Sequence, residues 1–385
     1  MRIHLSFLVV TTVGVLAASD TAGAQQDAVI QSPMEGSGSF STGDYATREM
    51  REDAEPMTWL EEPIIEGHRA ADDEDTGVPG LAPSGTPRPW ADERASRDFP
   101  AEWEAEEEDA DAFESDSAPE DDIPEEGEEE ERVEEFSSAA PVAFDAYPLR
   151  HKFFRTSFPW RAVGKLYFRA ASTGGVSYCS ASVISGNNVI VTAAHCCYDT
   201  EVQQWNDRFQ FVPATSKGRE PFGVFKWKDG QAWVPSAYIQ TGLAGGRQND
   251  VCVIKLGRNQ ARRPVTYYTG WLSYSWNVAP EQHHFAFGYP GNLGDGEILQ
   301  SCASESFADS GCGGSDVLHT GCNMTYGSSG GPWLLRHRPL KENGSFNIVN
   351  SVVSGPSCDG PEVPVFTGAR FTDSNIGALC SAAGC

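Results

Sequence analysis

The sequence predicts an all-β fold for the part of the chain that follows residue 150. Short runs rich in β-branched and aromatic residues recur there, and Gly, Pro, Asn or Ser separates them, as in strands joined by turns. Many short strands over about 230 residues, with no long amphipathic helical stretch among them, favour a sandwich or a barrel. The runs that predict strands are 162–168, 188–192, 251–256, 284–289, 347–354 and 365–371.

Charge divides the chain of 385 residues into two unlike parts. Residues 25–145 hold 38 of the 55 acidic residues, seven Arg and no Lys, whereas residues 146–385 hold 16 acidic and 20 basic residues. The formal charge is therefore −31 in the first part and +4 in the second. Such a segment repels itself and buries little apolar surface, so we expect residues 25–150 to be a largely disordered acidic propeptide or linker. It would either inhibit the basic part or act as a solvated spacer, and its charge argues against nucleic acid as a partner.

Residues 1–24 are typical of a signal peptide. The apolar run 5–18 is shorter than a membrane span, and small residues at 22–24 favour cleavage before Gln25. A membrane anchor is the alternative. All ten Cys lie between Cys179 and Cys385, which predicts disulfides in an oxidising compartment. We therefore expect a secreted protein, extracellular or periplasmic, that leaves the membrane after signal cleavage.

Two motifs in the basic part carry groups suited to nucleophilic catalysis. Residues 191–196 are Val-Thr-Ala-Ala-His-Cys, so His195 follows an apolar run. A neutral imidazole can take a proton from a hydroxyl near neutral pH. Residues 327–332 are Gly-Ser-Ser-Gly-Gly-Pro. Glycines around Ser329 let the backbone turn sharply and expose N–H groups to the oxyanion that forms when a hydroxyl attacks a carbonyl.

The order of residues along the chain distinguishes two classes of hydrolase. Asp250 precedes the apolar run 251–256, where a carboxylate can hold an imidazole in the required tautomer. The Gly-x-Ser-x-Gly pattern also fits the nucleophile elbow of α/β-hydrolases, whose order is Ser, acid, His. Only 56 residues follow Ser329, and His337 is their sole histidine, so the order argues against an esterase or lipase of that class. Other upstream acids, in more polar surroundings, are Asp199, Asp207 and Asp229.

Together, in the order His, Asp, Ser, these motifs resemble the trypsin/chymotrypsin superfamily of serine peptidases. The resemblance covers residues 155–385 and implies two antiparallel six-stranded β-barrels with the site in the cleft between them; we place the domain at 151–385. It implies a serine endopeptidase that cleaves proteins or peptides through an acyl-enzyme. The implied roles are base for His195, orienting acid for Asp250 and nucleophile for Ser329.

Further features of this resemblance concern the oxyanion and the branch of the superfamily. The backbone N–H groups of Gly327 and Ser329 form the implied oxyanion hole. The runs 178–184, 288–291 and 322–327 are similar to those of bacterial secreted peptidases related to glutamyl endopeptidases. The cysteines lack the C-x2-C pairs of common zinc sites, so we expect neither a metal site nor an organic cofactor. The alternative function is a catalytically silent binding protein on the same fold.

The chain departs from the trypsin pattern at two places. Activated digestive enzymes of the superfamily have an Asp before the nucleophile that pairs with a new N-terminal amine, and Ser328 cannot make this ion pair. By position, Asn323 lies near the base of the primary pocket, and it carries no charge for a Lys or Arg substrate side chain. The run 351–354 lacks the His that glutamyl endopeptidases use. The residues expected to make the substrate pocket polar are Asn323, Thr325 and Ser354.

Two disulfides are implied by position in the superfamily, Cys179–Cys196 and Cys322–Cys358. The first would brace the loop that presents His195, and the second would tie the nucleophile loop to the pocket wall. The pairing of the other six cysteines is open, and the most local possibility is Cys380–Cys385. The six are Cys197, Cys252, Cys302, Cys312, Cys380 and Cys385.

Overall fold

In the computed structural model of this chain, two closed β-barrels make up most of the described residues. Both are antiparallel and six-stranded, so the fold expected from the sequence is confirmed. The described residues are 28–33, 45–58, 78–85, 97–98, 144–243, 246–309, 312, 316–341, 344–358 and 365–385. The predicted signal peptide at 1–24 lies outside them, as does most of the acidic run that precedes residue 144.

Short strands dominate the described chain. In chain order they are β1 Val29–Gln31, β2 Glu55–Pro56, β3 Gly80–Ala82, β4 Tyr147–Pro148, β5 Val163–Arg169, β6 Val176–Ser185, β7 Val189–Thr192, β8 Tyr198–Asp199, β9 Gln204–Trp205, β10 Asp207–Pro213, β11 Phe225–Pro235, β12 Cys252–Leu256, β13 Ser273–Trp276, β14 Gln282–Gly288, β15 Gln300–Ala308, β16 Val317–Gly321, β17 Pro332–Leu335, β18 Ile348–Pro356 and β19 Val365–Arg370. The α-helices are α1 Arg48–Glu52, and then Lys152–Thr156, Ser236–Thr241, Thr266–Thr269 and Ala378–Ala383. Single turns of other helix types lie at Trp160–Ala162, Ala194–Cys196, Arg247–Asn249, Gly294–Gly296 and Asp373–Gly377.

Each barrel closes because its first and last strands pair with each other. In the first barrel the order is β11-β10-β5-β6-β7-β12, and β12 pairs back with β11. In the second barrel the order is β17-β14-β15-β16-β19-β18, and β18 pairs back with β17. Aromatic residues fill both interiors: Phe209 packs edge-on against Trp227 in the first, and Trp333 stacks on Phe366 in the second. Closure leaves no free edge within either ring of six strands.

The disulfides differ in part from the pairing that position implied. The structure joins Cys179 to Cys196 and Cys380 to Cys385, but the predicted bridge between Cys322 and Cys358 is wrong. Cys322 follows β16 and pairs with Cys302 on the neighbouring strand β15. Cys358 follows β18 and pairs with Cys312 in the β15–β16 connection, and the fifth bridge is Cys197–Cys252. Spacing along the chain does not reveal which strands become neighbours, so it could not give these partners.

Parts of the acidic segment pack against both barrels, which differs from the predicted disorder for those stretches. Strands β1 and β2 pair with β11 and β6 of the first barrel, and β4 pairs with β15 of the second. Strand β3 pairs with β13, which itself lies beside β18. Composition underestimates such order because the backbone N–H and C=O groups of almost any short segment can extend an existing sheet.

Helix α1 places a buried cation of the acidic segment on the first barrel. The hydroxyl of Thr47 caps the helix by accepting from Met50 N–H. The Arg51 guanidinium pairs with the Glu220 carboxylate and donates from Nη1 to Gln210 Oε1 at 2.9 Å. This ion pair joins a positive group of the acidic segment to a negative group of the basic part. The charges of the two groups are thus the reverse of the net charges of the two parts. None of the described helices has the length and apolar character required to cross a membrane.

Candidate active site

The turn Ala194–Cys196 presents His195 directly after β7. Two disulfides hold this turn, because Cys196 is joined to Cys179 on β6 and the next residue, Cys197, to Cys252 on β12. His195 donates its backbone N–H to Asp250 Oδ1 at 2.9 Å, and its ring Nδ1 lies 2.9 Å from Asp250 Oδ2. Because a carboxylate can only accept, Nδ1 carries the proton of the neutral ring and Nε2 carries the lone pair.

Asp250 connects the two barrels. It lies between the turn Arg247–Asn249 and β12 of the first barrel, and its side chain is fully buried. Besides the two contacts from His195, Asp250 Oδ2 accepts the hydroxyl proton of Ser354, on β18 of the second barrel, at 2.6 Å. Three donors thus compensate the buried carboxylate. The hydroxyl proton of Ser354 is used by Asp250, a role that the sequence did not indicate, and its assignment to the substrate pocket stays a prediction.

The loop that carries Ser329 runs between the elements of His195 and Ser354. Gly330, at φ +78°, has no room for a side chain, because a Cβ there would lie 1.9 Å from Thr192 Oγ1 and 2.8 Å from the backbone nitrogen of Ala193. Its N–H donates to the carbonyl of Val353 at 2.8 Å. Gly330, the residue after Ser329, therefore lies beside Ala193, two residues before His195, and beside Val353, the residue before Ser354.

Ser329 and His195 are both buried in this structure, at 0% and 1% exposure. The ring nitrogen His195 Nε2 has no hydrogen-bond partner among the described residues and is closed off from solvent. A buried acceptor without a partner is unfavourable, and such groups occur where another molecule or a reacting group is meant to enter. Ligand atoms of Cys179, His195 and Cys196 lie within 4.8 Å of one another, but the two sulfurs form a disulfide and so offer no thiolate to a metal ion.

Tyr178 packs beside the nucleophile loop and contacts the partly buried ion pair of Lys165 and Glu297. A Cβ at Gly327, where φ is +87°, would lie 2.7 Å from the Tyr178 ring. Lys165 Nζ lies 4.2 Å from the centroid of this ring and 2.7 Å from Glu297 Oε1. Burial raises the pKa of Tyr178, and the Glu297 carboxylate raises it further. Tyr178 is therefore a neutral phenol near pH 7 and packs against the loop as an uncharged ring.

His337, the histidine that follows Ser329 in the chain, is part of a packed cluster. Its ring Nδ1 lies 3.1 Å from Asn347 Oδ1, and its ring contacts Trp160 and Phe285. Burial lowers the pKa of His337 to about 4, so the ring is neutral near pH 7. These contacts agree with the chain-order argument against the α/β-hydrolase class.

The other two predicted pocket residues, Asn323 and Thr325, form hydrogen bonds with other residues of the chain. Asn323 donates from Nδ2 to Asp145 Oδ1 and accepts from the N–H of Ala146, both at 2.8 Å. The N–H of Thr325 donates to Asn292 Oδ1 at 3.1 Å. Asn323 thus holds the end of the acidic segment in this structure, and the pocket roles of Asn323 and Thr325 stay predictions.

Ser328 is bonded within its own loop, which leads to a stability prediction. It is fully buried, and its hydroxyl and its N–H both donate to the carbonyl of Thr325, at 2.6 and 3.1 Å. We expect Ser328→Asp to lower the free energy of unfolding by about 3–5 kcal/mol, because an unpaired carboxylate would face that carbonyl oxygen. Thermal or denaturant unfolding measures the change, with the neutral Ser328→Asn as the control of matched size. Equal stability of the two variants, with activity that now requires a free N-terminal amine, would contradict this.

The division of the site between two barrels, with a His–Asp pair on one and a glycine-flanked serine on the other, defines the class of chymotrypsin-like proteins. The chain belongs to the trypsin family: the family model described as Trypsin matches residues 150–373. No curated protein matches the chain. Membership of this family indicates a peptidase, which is a hydrolase that acts on peptide bonds.

Several solved structures are similar to this chain. Protease Anisep from Arthrobacter nicotinovorans is 25% identical with a TM-score of 0.51, over 59% of this chain and 97% of that one. The thermostable serine protease AL20 from an extremophilic microorganism is 25% identical with a TM-score of 0.49, over 58% and 98%. A Glu endopeptidase in complex with MPD is 17% identical with a TM-score of 0.49, over 62% and 97%. At this identity the last likeness supports no specificity, so the glutamyl branch stays a prediction.

Proposed function

We propose that this protein is a secreted serine endopeptidase in which Ser329 is the nucleophile, His195 the general base and Asp250 the residue that orients the base. The observation that carries the proposal is the contact of Asp250 with His195 Nδ1, which leaves the lone pair of Nε2 for a proton. Membership of the trypsin family supports the reaction class. Five disulfides in the basic part support an oxidising, extracellular or periplasmic location.

The reaction proceeds in two acyl-transfer steps. Ser329 Oγ attacks the carbonyl carbon of the scissile peptide while its proton moves to His195 Nε2, and the N–H groups of Gly327 and Ser329 bind the resulting oxyanion. The imidazolium then gives its proton to the leaving amine, and the C–N bond breaks to leave an ester on Ser329. Water attacks this ester with the same base, which releases the acid and restores the serine hydroxyl.

Labelling and cleavage together test this proposal against the silent binding protein. The secreted chain is treated with a fluorophosphonate probe, the labelled peptide is identified by mass spectrometry, and cleavage of a peptide library is profiled in parallel. Label on Ser329 together with library cleavage is the expected result. A folded, secreted protein that neither reacts with the probe nor cleaves any peptide, with the acidic segment in place or removed, would favour the binding protein.

We also propose that the acidic segment is an inhibitory propeptide whose residues Glu55–Met57 cover the site. Met57 donates its N–H to the carbonyl of Tyr178 at 2.9 Å, and its side chain is 7% exposed. The Pro56 ring lies beside Gly291, where a Cβ would be 3.0 Å from Pro56 Cγ and 3.6 Å from the carbonyl oxygen of Tyr326, the residue before the nucleophile loop. The burial of Ser329 and of His195 Nε2 in the presence of these residues supports a closed precursor.

Met57→Asp in the full chain tests this closure. Burial of a methionine contributes about 1.5–3 kcal/mol, and a carboxylate in its place costs more, so we expect Ser329 to be labelled at least ~10-fold faster. Met50→Asp is the matched control, because Met50 lies on α1 with 49% exposure. Salt dependence separates specific docking from charge shielding, since only shielding weakens strongly at high ionic strength. Equal labelling rates of Met57→Asp and the parent would argue for a spacer.

A further inference from the structure

Ser180 lies at a junction of three elements of the candidate site. It follows Cys179 on β6 and is fully buried. Its hydroxyl accepts from the N–H of Tyr289, just after β14, and donates to the carbonyl of Gly327, both at 2.9 Å. Its N–H donates to the carbonyl of Ser329 at 2.8 Å, and its own carbonyl accepts from the hydroxyl of Thr192 at 2.9 Å. Each polar group of Ser180 therefore has a partner.

Two of these contacts hold the nucleophile loop from both ends. The hydroxyl of Ser180 fixes the carbonyl of Gly327, and its backbone N–H fixes the carbonyl of Ser329. Each peptide group is planar, so these contacts fix the peptide between Gly327 and Ser328 and the peptide between Ser329 and Gly330. The peptide that carries the Ser329 N–H lies between them. Strand β6, through Ser180, therefore restricts rotation of the backbone on either side of Ser328. An oxyanion hole requires such a preorganised backbone.

The residue before the nucleophile does not supply an equivalent anchor. The hydroxyl of Ser328 donates to Thr325, four residues before Ser329, and so stays within the loop. The hydroxyl of Ser180, by contrast, links the loop to β6 and, through Tyr289, to the end of β14. Without that hydroxyl, the N–H of Tyr289 and the carbonyl of Gly327 would both lose a buried partner.

We propose that Ser180 is a positioning residue that holds Gly327, Ser328 and Ser329 in the conformation needed to bind the oxyanion. This inference rests on the proposed peptidase function. In this role Ser180 acts through the Gly327 carbonyl, which accepts from its hydroxyl. The oxyanion develops only in the transition state, so loss of the Ser180 hydroxyl should lower kcat and leave KM nearly unchanged.

The test compares kcat and KM of full-chain variants on one peptide substrate. We expect Ser180→Ala to lower kcat about 10- to 100-fold, since small displacements of catalytic groups have effects of this size, with KM within about 2-fold of the parent. The matched control is Ser306→Ala. Ser306 lies on β15 and is fully buried, and its hydroxyl donates to the carbonyl of Pro280 at 2.7 Å. The control should keep the kcat of the parent.

Ser180→Thr keeps the hydroxyl and should restore kcat to within about 5-fold of the parent, which separates the hydrogen bond from a general loss of folding. Equal kcat in Ser180→Ala and Ser306→Ala, or equal losses in Ser180→Ala and Ser180→Thr, would overturn the positioning role while the peptidase function stands. A folded parent and a folded Met57→Asp variant that both cleave no peptide and are not labelled on Ser329 would overturn both.

Discussion

Replacement of Ser329 by alanine should lower kcat about 10⁶-fold and abolish fluorophosphonate labelling, with little change in KM. The variant keeps the loop conformation that Gly327 and Gly330 allow, and it keeps the contact of the Ser329 carbonyl with Ser180, because both depend on the backbone. Only the hydroxyl that would form the acyl-enzyme is lost, so the fold should be unchanged. Steady-state hydrolysis of a peptide substrate measures the rate, and gel fluorescence measures the label.

The neighbouring serine provides a strict control for this experiment. Ser328 is equally buried, but its hydroxyl donates to Thr325 within the loop. Ser328→Ala should therefore keep the label and lose no more than about 10-fold in kcat. Label retained by Ser329→Ala and lost by Ser328→Ala would move the nucleophile by one residue and refute the assignment.

Replacement of Asp250 by asparagine should lower kcat about 10⁴-fold while the protein remains folded. Asp250 accepts from His195 N–H, His195 Nδ1 and Ser354 Oγ, and an amide offers one accepting oxygen in place of two. An NH₂ group that faces the ring would favour a proton on Nε2, which then could not accept the proton of Ser329. The rate is measured with the same substrate, and circular dichroism checks the fold.

Asp207→Asn is the control for this variant, because Asp207 was another candidate for the orienting acid. The structure places Asp207 in an ion pair with Arg169 between β5 and β10. This pair is partly buried, so its loss should lower stability, but the carboxylate that contacts the His195 ring is that of Asp250, and kcat should therefore stay within a few-fold of the parent. Comparable losses in the two variants would show that Asp250 has no special role.

The barrels and the order of the candidate catalytic residues could be predicted because both leave local signals. Strands such as β7 and β12 are mostly apolar runs, and the glycines around Ser329 mark a turn that admits no Cβ at Gly330. The contact of Ser354 with Asp250 left no such signal. It depends on how β18 of one barrel faces the end of β12 in the other, a relation between strands about a hundred residues apart.

The partners of Cys322 and Cys358 and the packing of the acidic segment were missed for a related physical reason. Cys322 and Cys302 meet because β15 and β16 are adjacent, and the register of two strands is set by the packing of the whole barrel. Residues such as Arg51 and Met57 lie in a strongly acidic region, and average composition hides single side chains that fit a preformed surface. Disorder inferred from charge therefore describes a segment on its own, without the domain that it contacts.

The packing of β1, β2 and α1 on the first barrel has a consequence for cleavage of the chain. While residues 99–143 remain intact, these elements belong to the same chain as the barrel, so their binding to it is intramolecular and independent of total protein concentration. A cut between residues 99 and 143 breaks no hydrogen bond of β1 or β2, so the two pieces would remain associated as a non-covalent complex. If the acidic segment covers the site as proposed, exposure of the site after such a cut requires dissociation of the smaller piece, which dilution or degradation of that piece would favour.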